Sequence, residues 1–143
     1  MNLDIDGKPL AIIFKFEGGF EELLDHARKR CKGNDVILLI KYDESLIGRL
    51  VPAYANALAR KNWGGMKANS LEKEMLLFVA HTLNVNEAIR KAGMAHGRNI
   101  LFSNSNDIAM EFSISENLNT EKEIRLSLDI EAAPRVAELG LKD

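Results

Sequence analysis

Two short apolar runs flank one amphipathic stretch, and this order constrains the fold more than any other feature. Leu10–Phe14 is the first run, and Gly18-Gly19 follow it. Val36–Lys41 is the second, apolar as far as Ile40 and bounded by Gly33-Asn34-Asp35 and Asp43-Glu44-Ser45. A continuous run of this kind reads as a strand buried on both faces. Between them, Phe20, Leu23, Leu24, Ala27 and Cys31 recur at helical spacing. Glu21, Glu22 and Asp25 come early in that helix; Arg28, Lys29, Arg30 and Lys32 come late, as the helix dipole favours. Gly33 suits the stop. Strand, helix and strand together have the length of a parallel crossover, which predicts an α/β fold with a small mixed sheet.

The middle of the chain predicts helices packed on that sheet. Ile47, Leu50, Val51, Tyr54 and Leu58 give helical spacing over Leu46 to Lys61, with Pro52 as a kink or as the true start. Asn62-Trp63-Gly64-Gly65 reads as a turn. Asn69-Ser70-Leu71-Glu72 and Asn84-Val85-Asn86-Glu87 both resemble capping boxes, each with Asn as the cap. The first opens a helix over about 70–82 that is apolar nearly all round, from Leu71 through Met75, Leu76, Leu77, Phe78 and Val79. Such a helix belongs at the centre of a domain. The second, with Val85, Ala88, Ile89 and Ala92 on one face, ends at Gly93. Ile100–Phe102 is a further strand, and Ile108, Ala109 and Phe112 mark a short helix. From Thr120 the expected element is a C-terminal helix, with Thr120 and Glu123 as a capping box and Pro134 as a kink. The alternation of Ile124, Leu126, Leu128 and Ile130 also fits a strand.

The 143 residues suit one domain, 1–143. Apolar residues at 46% and charged residues at 28% are a globular balance. The net charge of -2 excludes a general polycation, so any nucleic acid must meet a local basic patch. One cysteine excludes an intrachain disulfide and, in a domain this small, points to a reducing, cytoplasmic setting. No apolar run is long enough for a membrane, and the first residues do not resemble a signal peptide.

Little in the sequence nominates catalysis. Phe16-Glu17-Gly18-Gly19 could cradle a phosphate, but it lacks the third glycine of a dinucleotide fingerprint and the Lys-Ser/Thr of a P-loop. His26, His81, His96 and Cys31 lack metal-ligand spacing, and no Gly-x-Ser-x-Gly elbow is present. The expectation is therefore a non-catalytic protein with no metal and no cofactor. The basic residues around Trp63 are more informative. Arg60, Lys61, Lys67 and Lys73 surround a stacking ring, two glycines and a capped helix start carrying Asn69 and Ser70. Those are ingredients of a single-strand nucleic-acid site. Arg28 to Lys32 is the next basic group in line. Two other readings compete: a helix-turn-helix DNA binder over Leu71 to Gly93, and a small nucleotide-binding enzyme built on the Gly18-Gly19 turn.

The stretch from Leu58-Ala59-Arg60 through Met66-Lys67-Ala68-Asn69-Ser70-Leu71-Glu72-Lys73-Glu74-Met75-Leu76-Leu77-Phe78, followed by Asn84 to Met94, resembles the TPRKB family. This is the small kinase-binding subunit of the KEOPS complex. The likeness spans roughly residues 46 to 104 and rests on a Glu-aliphatic-Leu-Leu helix followed by a short Ala-Ile helix. Ala92 stands where the family often has an aromatic residue, and Pro134 interrupts the terminal helix. The resemblance implies a mixed α/β domain that assists the installation of threonylcarbamoyl-adenosine in tRNA. It implies binding to a small atypical kinase or ATPase, capture of tRNA by its 3′ CCA tail, and indirect association with the transferase subunit. The tRNA site is then expected at Arg60, Lys61, Trp63, Lys67, Asn69, Ser70 and Lys73. Val136, Leu139 and Leu141, too apolar for an unsupported chain end, are the expected kinase contacts.

Overall fold

The structure is a computed structural model and describes residues 8–126. Its strands are β1 (Leu10–Phe16), β2 (Ile37–Lys41), β3 (Gly97–Ser103) and β4 (Asn119–Arg125). Its helices are α1 (Phe20–Arg30), α2 (Glu44–Ile47), α3 (Leu50–Asn62), α4 (Leu71–Ala80), α5 (Val85–Ala92) and α6 (Asn106–Ser115). The sheet has the order β2-β3-β1-β4, and every neighbouring pair is antiparallel. The α/β class is as expected, but the sheet is not mixed. β1 and β2 run in the same direction, as a crossover requires, yet β3 lies between them and pairs with both. Ile100 thus faces Ile13 on one side and Ile40 on the other.

β1, β2 and β3 are buried along most of their length, which accounts for their apolar runs, whereas β4 at the edge is largely exposed. Ala11, Leu38, Ile40, Ile100 and Phe102 pack under α2 to α5, against Tyr54, Leu58, Met75, Leu77 and Val79. Leu10, Ile12, Phe14, Leu39 and Leu101 pack under α1 and α6, against Leu23, Ala27, Ala109 and Phe112. Each large side chain buried here contributes about 1.5–3 kcal/mol. The result is three layers: helices, sheet, helices. Buried Asn side chains complete the backbone where strands stop. Asn104 Oδ1 accepts from Val36 N at 3.0 Å, and Asn99 bonds Ala95 N and Ala95 O at 3.0 and 2.8 Å.

Several local expectations hold and two need correction. α1 has its acidic first turn and basic last turn, with Gly19 as N-cap. Gly48 and Arg49 separate α2 from α3, so Pro52 lies in the first turn of α3, where its missing N–H costs nothing. Asn84 caps α5, its Oδ1 accepting from Glu87 N at 3.0 Å. The first correction concerns α4: its N-cap is Ser70, not Asn69. Ser70 Oγ accepts from Lys73 N at 3.4 Å, and Glu72 turns away to Arg28. The second concerns the chain after Thr120. No helix starts there; β4 forms instead, and Ile124 and Leu126 pack against the core beneath α2 to α5. β4 pairs Ile124 with Ala11 and Lys122 with Ile13, and a bulge leaves Glu121 unpaired in the ladder. Pairing along the edge of β1 prevails over the capping residues. The expected helix beyond it, Pro134 included, lies outside the described residues.

Candidate nucleic-acid interface

The turn after α3 is built by its glycines. Gly64 has a φ of 73°, and Gly64 N and Gly65 N reach back to Lys61 O and Arg60 O at 3.3 and 2.8 Å. This is a Schellman closure, in which a left-handed glycine satisfies the last carbonyls of the helix. It leaves Trp63 as the C-cap, with 75% of its surface exposed. The open ring offers a flat apolar face with a polar N–H at its edge.

From Trp63 to Ser70 the chain is shaped by a residue that the sequence reading passed over. Glu74 is fully buried within α4. Its Oε1 accepts from both Lys67 N and Ala68 N at 2.8 Å, and its Oε2 accepts from Arg60 Nη1 at 2.7 Å. The Arg60 guanidinium also lies 4.2 Å from the centre of the Phe78 ring, a cation–π contact. One carboxylate therefore ties α3, the loop and α4 together. The available signal was a carboxylate among the core positions of an otherwise apolar helix: Glu74 follows Leu71 by three residues and precedes Phe78 by four. A charge there needs partners, and the loop supplies them.

The seven expected residues all come to this region, but in different roles. Arg60 is held by Glu74 and Phe78, facing inward. Lys61 Nζ donates to Gly33 O and Asn34 Oδ1 at 2.8 and 2.9 Å, which ties the turn to the end of α1. Ser70 is engaged as the cap, and Asn69 is exposed beside it. The ammonium groups of Lys67 and Lys73 have no acidic partner among the described residues. Lys67, Asn69 and Lys73 therefore present free groups near the positive end of α4, and Trp63 stands exposed at the other end of the loop, as the C-cap of α3. Val136, Leu139 and Leu141 lie outside the described residues.

The other candidate groups are engaged locally. His26 Nδ1 lies 2.7 Å from Glu116 Oε1, joining α1 to the end of α6, and that hydrogen bond raises the His26 pKa above its ordinary value. Cys31 donates to Ala27 O at 3.3 Å, and burial pushes its thiol up to about 11. His96 lies 3.4 Å from Glu17 and packs against Phe20 in a tilted arrangement, 4.9 Å between ring centres. In the Gly18-Gly19 turn, a Cβ added at Gly18 would lie 2.9 Å from the Phe16 ring. His81, at the end of α4, adopts the left-handed conformation. Among the described residues, no three potential ligands gather to hold a metal ion, and no helix is long and apolar enough to cross a membrane.

Compared with models of known protein families, the chain matches none. A comparison with curated proteins likewise returns no match.

Proposed function

We propose that this chain is a non-catalytic, cytoplasmic subunit of a KEOPS-type complex, acting in threonylcarbamoyl-adenosine biosynthesis. In this role it recruits tRNA through the 3′ CCA end and binds the small atypical kinase of the complex. The resemblance over residues 46 to 104 supplies the complex and the partners. The observation that supports the RNA reading is the 75% exposed Trp63 ring at the start of a loop that carries Lys67 and leads into α4 with Lys73, both lysines without acidic partners among the described residues. An exposed ring offers a base a stacking surface worth about 1–3 kcal/mol, and free ammonium groups offer phosphates a counter-charge. The resemblance supplies the kinase partner, and the apolar character of Val136, Leu139 and Leu141 nominates them as its contacts, against a packing of the same residues on the domain's own core.

Trp63 is the sole tryptophan, so it reports binding directly. Titration with intact tRNA should quench its fluorescence, with an affinity that falls as salt is added. Removing the 3′ CCA should abolish the quenching. Charge reversal at Lys67 and Lys73 should weaken binding sharply while the protein stays folded. Equal affinity for trimmed and intact tRNA would remove the proposed role of the tail.

A further inference from the structure

The two basic groups that are distant in sequence meet in the fold. Lys61 Nζ reaches Gly33 O and Asn34 Oδ1, immediately after Lys32. Arg28 Nε donates to Glu72 Oε1 at 3.1 Å, immediately before Lys73. The end of α1 is thus joined to the Trp63 turn at one side and to the start of α4 at the other. These bonds bring together the segments that carry Arg28, Lys32, Lys61, Lys67 and Lys73, with Glu72, Asp35 and Asp25 as the carboxylates nearby, Glu72 bonded to Arg28 and Asp25 close enough to feel its charge. The whole chain carries -2, so this region is a local reversal of charge.

The fixed cations retain donors. Lys61 uses two of its three N–H groups on Gly33 and Asn34. Arg28 uses Nε on Glu72 and keeps the rest of its guanidinium fork. Of the exposed large apolar side chains among the described residues, these elements carry only Trp63; Leu83, Ile89 and Ile114 lie elsewhere. A region of charges with one aromatic ring at its margin does not suit an apolar protein partner. It suits a phosphate backbone that continues from a stacked base.

We infer that the α1 end, through Arg28 and Lys32, binds the phosphate backbone of an RNA duplex whose single-stranded 3′ end lies on Trp63. This rests on the RNA reading above and extends it from the tail to the stem. It predicts two classes of variant. Reversal at Lys67 and Lys73 weakens binding to every ligand that contains the tail. Reversal at Lys32, with Arg28→Ala, weakens binding only where a duplex is attached.

The test uses two RNAs, a short single strand ending in CCA and a hairpin with the same single-stranded end. The full chain is titrated with each across a salt series, and melting temperature is measured for every variant. Wild-type protein should bind the hairpin at least tenfold more tightly than the short strand. Lys32→Glu alone, which breaks no ion pair present in the described residues, should reduce hairpin affinity and leave the short strand unchanged. With Arg28→Ala added, most of the tenfold advantage should disappear. The salt slope for the hairpin should then fall by about 2, since each lost duplex phosphate contact removes roughly 0.9. If the wild type binds both RNAs equally, or if the variants keep full hairpin affinity, the stem contact is overturned while the tail site stands. If the wild type binds neither RNA, the tail site itself fails.

Discussion

Single residues decide how the Trp63 loop is held, and two can be tested directly. Asn69 has the composition of a cap, but Ser70 occupies the position. Ser70→Ala should therefore destabilise the protein, by about 0.5–1 kcal/mol given the long 3.4 Å bond, whereas Asn69→Ala should change stability little. Urea unfolding of both variants measures this, and a larger loss at Asn69 would contradict the assignment. The cap shift was hidden because Asn, Ser and Glu stand at spacings that fit either start, and the tertiary bond from Glu72 to Arg28 selects one. Glu74 escaped for a different reason. A sequence shows that a carboxylate sits on an apolar face, but not that two backbone N–H groups and a guanidinium converge on it. His26 offers a pH test at the same scale. Its hydrogen bond to Glu116 is the main cause that raises its pKa above 6.5, with Glu22 and Asp25 adding to it and partial desolvation opposing. A raised folded-state pKa means that protonated His26 stabilises the fold below pH 6.5, and that this contribution is lost as pH rises through the folded value. This contribution should thus decline in the wild type as pH rises from 6.5 through the folded-state value. The decline should be shallower in His26→Gln, and identical slopes would show that the pair is energetically silent.

At the scale of elements, α1, α4, α5 and α6 were legible, α2 and α3 read as one helix, and the last strand was legible only as the second reading of its segment. α1, α4 and α5 each carry a helical period of apolar residues with a recognisable start or stop, so local pattern and tertiary fold agree. In β4 they conflict. Asn119 to Arg125 contains charged residues at four of its seven positions, Glu121, Lys122, Glu123 and Arg125, as suits an exposed edge strand. The alternation that marks it is carried chiefly by Ile124 and Leu126, and a capping box stands in front. What decides the outcome is the unpaired edge of β1, which lies more than a hundred residues earlier in the chain and is invisible to a local window. The assignment predicts an alternation of effects that a helix would not give. Ile124→Ala should cost about 1 kcal/mol or somewhat more, because this partly buried side chain packs on the core beneath α2 to α5. Glu123→Ala and Arg125→Ala, exposed on either side of it, should stay within about 0.5 kcal/mol of wild type. Equal losses at all three positions, read from urea midpoints, would argue against strand geometry.

For the whole molecule, the consequence of the strand order is that the unit most visible in the sequence is not a folding unit. β1, α1 and β2 look like a self-contained crossover, and in a parallel sheet the two strands would bond to each other. Here each bonds to β3: Leu10 and Ile37 both stand opposite Ser103. The N-terminal segment therefore has no sheet of its own until residues 97–103 arrive. Those pairings close loops of some sixty to ninety residues, and the entropy of closing them must be offset by burial on both faces at once. Two consequences follow. A fragment of residues 1–47, which contains β1, α1, β2 and α2, should remain unfolded in water, with no cooperative urea transition by circular dichroism. Extending the fragment to residue 105 supplies β3 and the helices α3 to α5 that cover one face. This longer piece should gain secondary structure, although it lacks α6 and β4. A cooperative transition in the shorter fragment would mean that β1 and β2 can pair directly, and the central place of β3 would have to be abandoned. The same dependence links the fold to the RNA face. Lys61 on α3 reaches Gly33 and Asn34 beside Lys32, and β3 lies at the centre of the sheet on which both segments pack. Variants that loosen β3, such as Phe102→Ala, should accordingly lose hairpin affinity over the same urea range in which they lose structure, with no separate binding transition.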